Sequence, residues 1–366
     1  MKAELLLAAA VCIIAGLALV SRFPAHAGEI PNATGYTVLP PIRHGNLTVF
    51  PVAMAKSHDT TGFLTLDEGL RSGEVTVSES GSLTPLVRPR HPEDSTRPYR
   101  GGGAQVNTLV LVNNSKRPLI LLAGEIVTGG KQDRVIAKDR IVPSESDPID
   151  LGVFCVEPGR WTGISSKFSY SGGVMVQPAV RARAMADKDQ SKVWAEVGKA
   201  KEQVTVEAAS PAAVSTLGST TSYARVMQND DVRKQVDAVA APIEQGYESV
   251  IKQLRDRNAV GVVVAVNGQI VWADLFASTQ LLQKYWPKLV RSYAAEAIGG
   301  KPGAREIDVK AAQQFLEDME GRHETIESEP GLYRHTEVTG DGFRAFELTS
   351  LLPKTGFDLH VAKMAE

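Results

Sequence analysis

The sequence predicts an α+β protein, in which an antiparallel β-sandwich or barrel-like N-terminal part packs with a helical and β-hairpin C-terminal part. Strand-like runs fill residues 109–156, with no helical periodicity between them. Apolar residues take helical spacing from Asp189 onwards, and Asn267-Gly268 between two β-branched runs is typical of a type I′ hairpin. The chain has 366 residues, 43% of them hydrophobic and 22% charged, which excludes a mostly disordered chain and a polytopic membrane protein.

Short β-branched or continuous apolar runs predict the strands of the first part. The run Leu119–Ala123 is apolar throughout, which suits a central strand buried on both faces. Leu66–Leu70 is expected to form a short helix, and Leu86–Gly103, with three prolines, an exposed loop. The predicted strands are Leu47–Val52, Val75–Val77, Leu109–Val112, Leu119–Ala123, Val135–Ile136, Ile141–Val142 and Ile149–Val156.

The second part is predicted to alternate helices with antiparallel strands. Ala208–Ser222 is rich in Ala, Ser and Thr and is predicted to be a flexible connection, whereas Pro242 is predicted to open a new helix. Pro287 lies inside an amphipathic pattern capped by Ser278, so we expect a kink or a restart there. The predicted helices cover 193–197, 232–239, 242–254, 278–297 and 311–319, and the predicted strands are Val260–Val266, Gln269–Leu275, Leu332–Val338, Phe343–Leu348 and Phe357–Val361.

The first 27 residues are predicted to be an export signal. Lys2 is followed by the uncharged stretch Leu5–Val20 and then by Ala25-His26-Ala27, an A-x-A cleavage site. Sixteen residues span roughly 24 Å as a helix, less than the ~30 Å hydrocarbon core, so cleavage is favoured over a retained anchor. The mature protein is then expected to be periplasmic or secreted, with no membrane attachment. Cys155 would be its one cysteine and is predicted to be a small buried hydrophobe.

Residues 28–366 are expected to form a single integrated α+β domain. Two lobes, a β-rich one over 36–188 and a helical one with closing strands over 189–366, remain the alternative. The formal net charge of −2 gives no basic excess for nucleic-acid binding. The histidines form neither H-x-H nor H-E-x-x-H, so no metal site and no cofactor is predicted.

A dense polar cluster marks the candidate site. Glu125 follows one buried apolar strand and Glu157 follows another, and an arginine, Arg134 or Arg160, could neutralise each of them. Trp161 could stack under Arg160 or line a sugar-sized pocket. Asp274, at the end of the hairpin, is a weaker candidate. The full set of candidate binding residues is Glu125, Lys131, Gln132, Asp133, Arg134, Glu157, Arg160, Trp161 and Asp274.

The position of the two glutamates depends on the segment between them. If Asp133–Val142 is one strand, both carboxylates emerge at the same end of the sheet; if Lys138-Asp139 is a turn, they end at opposite edges. Two carboxylates around a common hollow could perform general acid/base chemistry, or they could bind a polar ligand or a cation. A network of ion pairs that ends strands is the structural alternative.

Three segments resemble the ARG-and-rhodanese-phosphatase-superfamily-associated protein domain. They are Leu121–Glu125, Gly129–Arg134 and Cys155–Trp161, and the later hairpin with Asp274, Trp286–Leu289 and Ser292-Tyr293 is similar to that family as well. The resemblance covers roughly Pro40–His360 and implies no activity. We therefore expect a non-catalytic ligand-binding or interaction module of the cell envelope, with a small ligand or an envelope protein as its partner. The alternatives are a hydrolase-like enzyme using Glu125 and Glu157, and a purely structural protein.

Overall fold

The protein combines helices, two antiparallel sheet systems and a small parallel pairing. The computed structural model describes residues 35–80, 107–162, 165, 167–254, 256–299 and 306–366. The predicted export signal and the predicted loop Leu86–Gly103 lie outside these described residues. Within them the α+β class and the barrel-like N-terminal part are confirmed.

The described elements run as follows in chain order. The strands are β1 Tyr36–Val38, β2 Ile42–His44, β3 Leu47–Met54, β4 Leu64–Thr65, β5 Val75–Glu79, β6 Thr108–Asn113, β7 Leu119–Leu121, β8 Glu125–Gly129, β9 Arg134–Ile136, β10 Arg140–Val142, β11 Ile149–Cys155, β12 Lys167–Met175, β13 Asn258–Val266, β14 Gln269–Phe276, β15 Gly321–Glu329, β16 Tyr333–Gly340, β17 Phe343–Ser350 and β18 Asp358–Ala365. The helices are α1 Leu66–Ser72, α2 Pro178–Ala182, which continues as a π-helical turn over Arg183–Asp187, α3 Gln190–Ala208, α4 Pro211–Ser219, α5 Tyr223–Gln228, α6 Asp230–Gln253, α7 Thr279–Ala297 and α8 Val309–Glu317.

Six strands close into a barrel in the order β11-β6-β5-β12-β8-β9. Strand β9 pairs antiparallel with β8 on one side (Val127↔Arg134) and with β11 on the other (Cys155↔Arg134). Because β8 and β11 are both antiparallel to β9, they are parallel to each other. The ends of β8 and β11 therefore lie at the same rim of the barrel, where β9 begins.

A second sheet, of nine strands, runs β1-β3-β13-β14-β18-β17-β16-β15, with β2 also pairing β3. One of its faces packs in the main apolar core together with α3, α6 and α7, and this core draws side chains from both halves of the chain. The other face packs against α8. Whether the chain has one folding unit or two lobes stays a prediction. Strands β4, β7 and β10 form a three-stranded sheet beside the barrel.

Local sequence patterns explain several elements directly. Asn267 and Gly268 both have positive φ (52° and 76°), as the type I′ hairpin between β13 and β14 requires. Thr65 and Glu68 form a capping box at the start of α1, which confirms the predicted short helix. Cys155 is buried, as predicted from its apolar neighbours.

Two predictions about the second part are wrong, and a third, a kink or a restart at Pro287, loses its second alternative. Residues 208–222 are not a flexible connection but contain α4, because Ser210 caps its N-terminus and Pro211 takes the first turn. Helix α6 runs through Pro242; the buried stripe that includes Val236 and Ile243 offsets the one backbone hydrogen bond that proline removes. Helix α7 likewise continues through Pro287, so no restart occurs there.

Candidate functional site

Most of the predicted site residues lie in the turns at one rim of the barrel. After β8 the chain turns at Gly129-Gly130, where both residues have positive φ (121° and 51°) and a Cβ on Gly130 would clash with the ring of Phe168. After β11 the chain passes through Glu157 and Gly159 to Trp161. The shared rim confirms that the segment from Lys131 to Arg134 and the segment from Glu157 to Trp161 lie together.

Glu157 lies at the centre of the ion-pair network at this rim. Its Oε2 accepts hydrogen bonds from Arg160 Nη2 at 2.5 Å and from the backbone N–H of Asp133 at 3.0 Å. Gln132 Nε2 donates to the Glu157 carbonyl at 3.1 Å. The bond to Glu157 raises the pKa of Arg160 above its usual value. Arg160 therefore stays protonated, and its hydrogen bond to Glu157 holds the two turns together.

Asp133 is held by three different groups. Its Oδ2 accepts from Ser222 Oγ at 2.6 Å, its Oδ1 accepts from the Gly129 N–H at 3.1 Å, and Arg160 Nη2 lies 3.7 Å from Oδ1. Burial, and then the charge of Glu157, raises the pKa of Asp133, while these bonds oppose the rise. Asp133 thus ties the barrel rim to the start of α5 rather than facing solvent.

Trp161 is the exposed part of this rim. It is 43% exposed, and the other exposed large apolar side chains among the described residues are aliphatic, Val206 and Val214. Lys131 Nζ lies 4.8 Å and Arg134 Cζ 5.8 Å from the centre of the indole ring. Within the described part of the chain, Lys131 has no carboxylate at ion-pair distance. Arg134 is 0% exposed, so we call Lys131, Arg160 and Trp161 the Trp161 surface, with Arg134 buried next to the indole.

Glu125 lies elsewhere and has different partners. It begins β8, whereas Glu157 follows the end of β11, and these two strands are parallel. The two carboxylates therefore lie at opposite ends of this part of the barrel, and the prediction of a common hollow is wrong. The reason is that Glu125 begins a strand and does not end one: β7 stops at Leu121 and belongs to another sheet, and β8 starts at Glu125. The chain also breaks at Lys138-Asp139, between β9 and β10, which is the alternative that the sequence left open.

The cation that neutralises Glu125 is a lysine and not one of the predicted arginines. Lys288 Nζ of α7 lies 2.5 Å from Glu125 Oε1 and 2.7 Å from Asp67 Oδ2 of α1. The Leu122 N–H donates to the other Glu125 oxygen at 2.7 Å. Burial acts to lower the pKa of Lys288, but the two carboxylates outweigh it and raise the pKa above its usual value. Glu125 is 1% exposed and fixes α7 against the barrel.

Asp274 belongs to a third, wholly buried network. Arg181 of α2 binds it with both Nη atoms, at 2.8 and 2.9 Å, and the Tyr293 hydroxyl of α7 donates to it as well. His360 of β18 contacts Asp274 Oδ1 through Nε2 at 3.0 Å and Asp139 Oδ2 through Nδ1 at 2.5 Å. The side chains of Arg181, His360, Asp139 and Asp274 are all 0% exposed. We call these four residues with Tyr293 the Asp274 network.

Electrostatics keep the Asp274 network charged. Burial acts to lower the pKa of His360, but Asp139 and then Asp274 raise it to about 9. Burial would raise the pKa of Asp274, but Arg181 and His360 hold it far below its usual value. The network thus contains two cations and two carboxylates in balance, joining β14, β18, α2 and the turn before β10.

Metal-ligating side chains do not converge in the described ranges. No group of three or more His, Cys, Asp or Glu residues placed to hold a metal ion occurs among them. A search of the same residues finds no helix long and apolar enough to cross a membrane.

The fold and the rim define an α+β protein whose barrel carries an exposed aromatic and cationic surface above a buried ion-pair network. Over residues 35–362 the chain matches the model of the family described as the ARG and Rhodanese-Phosphatase-superfamily-associated Protein domain, and it belongs to that family. This confirms the resemblance of the motif segments. Searches of curated proteins and of solved structures found no match.

Proposed function

We propose that this protein is an exported, non-catalytic binding module of the cell envelope and that the Trp161 surface contacts its ligand. The observation that supports this most strongly is the 43% exposed indole of Trp161 with the Lys131 ammonium 4.8 Å from its ring centre. An exposed indole on a rigid base supplies a contact area that costs little conformational entropy on binding.

Binding is favoured over catalysis because hydrogen bonds within the protein already hold the acids that the sequence predicted for catalysis or for the site. Glu157 Oε2 accepts from Arg160 and from the Asp133 N–H, and both oxygens of Asp133 accept hydrogen bonds. Glu125 lies at the other end of β8 against Lys288. A general acid or base must reach its substrate by a hydrogen bond, and none of these three acids is free to do so.

The chemistry of the Trp161 surface points to a saccharide with an acidic group. The flat indole face can stack against an apolar sugar face, and the Lys131 ammonium can pair with a carboxylate or sulfate of the ligand. Gln132 Oε1 and Glu79 Oε2 are buried acceptors that find no hydrogen-bond partner in the part of the chain the structure describes, and the Lys131 N–H donates to the other Glu79 oxygen at 2.7 Å. Slight opening of the rim would let sugar hydroxyls donate to these acceptors.

A calorimetric titration tests the surface and the ligand class together. The probes are an oligogalacturonate and a neutral malto-oligosaccharide of equal length, with the wild type, Trp161→Ala, Trp161→Phe and Lys131→Met. Lys310→Met, an exposed lysine of α8, is the matched control.

We expect Trp161→Ala to weaken oligogalacturonate binding about tenfold, which corresponds to about 1.4 kcal/mol, and Trp161→Phe to weaken it less. Lys131→Met should remove the preference for the acidic over the neutral probe, and Lys310→Met should not. Unchanged binding by Trp161→Ala contradicts the proposed surface. Binding of neither saccharide by the wild type contradicts the proposed ligand class, and capture of an envelope protein would then identify the partner.

The export part of the proposal rests on the sequence of the first 27 residues and has its own test. Expression with the native N-terminus, fractionation and mass spectrometry should give a periplasmic or secreted protein that begins at Gly28. Ala27→Leu, which alters the cleavage site, should leave the uncut protein at the membrane. A wild-type protein that retains Met1 in the cytoplasm contradicts export.

A further inference from the structure

A second group of polar side chains lies on the nine-stranded sheet, apart from the Trp161 surface. Glu347 and Thr349 are two residues apart on β17 and so share one face of the sheet. Thr349 pairs across the sheet with Asp358, the first residue of β18. Tyr36 of β1 lies close enough to feel the charges of Asp358 and Glu347. We call Tyr36, Glu347, Thr349 and Asp358 the Glu347 cluster.

The two acids of this cluster are close enough to influence each other. Burial, and then the charge of Asp358, raises the pKa of Glu347 to about 7. Burial, followed by Asp358 and Glu347, raises the pKa of Tyr36 as well. Arg334 on β16 acts electrostatically on both Glu347 and Asp358, and His58 after β3 acts on Asp358, but neither reaches ion-pair distance. The charged groups that shift the pKa of Glu347 are Asp358, which belongs to the cluster, and Arg334, which also acts on Asp358.

What distinguishes this cluster is the missing cation. Glu347 is 7% exposed and its Oε1 finds no hydrogen-bond partner among the described residues, while Asp358 accepts a hydrogen bond from Thr349 Oγ1 at 2.6 Å. In contrast, Glu125 and Glu157 each have a cationic nitrogen at 2.5 Å. In the part of the chain that the structure describes, neither Glu347 nor Asp358 has one within 4.0 Å. An ionised buried carboxylate without a counter-charge is costly, which is why burial raises the pKa of Glu347, and a bound cation would remove that cost.

The groups around the two carboxylates suit an organic cation. The rings of His58 and Phe357 stack at 4.0 Å beside Asp358, and their faces with that of Tyr36 can attract a positive charge. A primary ammonium has three donors, enough for Glu347 Oε1, the free oxygen of Asp358 and one further acceptor. Among the described residues no set of three metal-ligating side chains occurs, so a metal ion would lack ligands here.

We propose that the Glu347 cluster is a second binding site, which takes the ammonium group of a primary amine. This site is independent of the Trp161 surface and of the saccharide proposed there. The ammonium of a diamine or of an exposed lysine side chain has the required chemistry, and a neutral alcohol of the same shape does not.

The test is a calorimetric titration of the purified full chain with 1,5-diaminopentane, with 1,5-pentanediol as the neutral probe and Ca²⁺ as the metal probe. We expect binding of the diamine only. Glu347→Gln and Asp358→Asn should each weaken it about tenfold or more, whereas Asp341→Asn, an exposed acid in the turn between β16 and β17, should not. Trp161→Ala should also leave it unchanged, which separates this proposal from the first.

The pH dependence adds a readout that needs no variant. The ionised form of Glu347 is the form that binds, and its pKa is raised to about 7. Diamine affinity should therefore rise roughly tenfold from pH 6 to pH 8, since the fraction of competent protein rises by that factor. The diamine should also raise the unfolding midpoint of the wild type. Absence of diamine binding, equal affinity for the diol, or preference for Ca²⁺ would each overturn the proposal.

Discussion

The Trp161 surface and the Asp274 network each include an arginine paired with a carboxylate, and they differ in what is left exposed. Arg160 of the Trp161 surface pairs with Glu157, and Arg181 of the Asp274 network pairs with Asp274. At the barrel rim the Glu157–Arg160 pair lies next to the indole of Trp161, which is 43% exposed. In the Asp274 network, the side chains that form the ion pairs are all fully buried. An acid-arginine pair therefore reveals nothing about function until its surroundings are known, and the exposed groups beside it are the informative ones.

The largest effect should come from breaking the Asp274 network. Asp274→Asn leaves Arg181 and His360 buried with one carboxylate, Asp139, between them. We expect a loss of about 3–5 kcal/mol in the free energy of unfolding, measured by urea denaturation. The exposed Asp341→Asn is the control and should lie within about 0.5 kcal/mol of the wild type. An Asp274→Asn variant as stable as that control would show that the network does not hold the fold.

His360 should make the free energy of unfolding depend on pH. The pKa of its imidazole is about 9 in the folded state and 6.5 in the unfolded state, so folding favours the protonated form. Its contribution, about 3 kcal/mol, is complete below pH 6.5 and is lost as pH rises to about 9.

NMR should find both ring nitrogens of His360 protonated at pH 7.5. A His360 imidazole that titrates near pH 6.5 would contradict this prediction. His360→Gln should flatten the stability profile over this range, and the exposed His44→Gln should not.

Glu125→Gln should have a smaller effect than Asp274→Asn. Lys288 keeps Asp67 as a partner at 2.7 Å, and the amide can still accept the hydrogen bond from the Leu122 N–H. We expect a loss of about 1–3 kcal/mol by urea denaturation and unchanged oligogalacturonate binding. Lys288→Met, which leaves two carboxylates unpaired, should cost more. If Glu125→Gln kept its stability but lost saccharide binding, the saccharide would bind at the start of β8, beside Glu125, and not at the Trp161 surface.

Trp161→Ala should change stability least. The indole is largely exposed and its main contacts are the two cations, which at such sites contribute about 0.5–1 kcal/mol each. The expected loss is about 1 kcal/mol by urea denaturation. A loss comparable to that of Asp274→Asn would mean that Trp161 is part of the fold's support and not a ligand contact.

The sequence predicts well where the evidence is local. Asn267-Gly268 determines a hairpin by backbone conformation. The two segments that follow β8 and β11 meet because both strands pair with β9 and end at the same rim of the barrel. The partners of the predicted acids are not local. Lys288 reaches Glu125 from 163 positions away, and Arg181 and His360 reach Asp274 from 93 and 86 positions away. No spacing in the chain encodes these contacts, because the packing of whole helices and strands creates them.

The helices show a related limit. Pro242 is a helix breaker by local rules, yet α6 continues because the buried stripe that includes Val236 and Tyr247 packs in the core. The free energy gained by packing this stripe in the core therefore exceeds the cost of the one backbone hydrogen bond that Pro242 removes. The Glu347 cluster was missed for another reason: its members come from β1, β17 and β18 and carry no motif, so only the fold brings them together.

The indole N–H resonances of the ¹⁵N-labelled protein test the central claim most directly. Of its four tryptophans, Trp161 lies on the proposed surface, and Trp272 and Trp286 are buried. On titration with the oligogalacturonate, the account predicts a saturable shift of the Trp161 resonance while the other three stay in place. A saccharide that binds without moving that resonance, or that moves a buried indole instead, would contradict it.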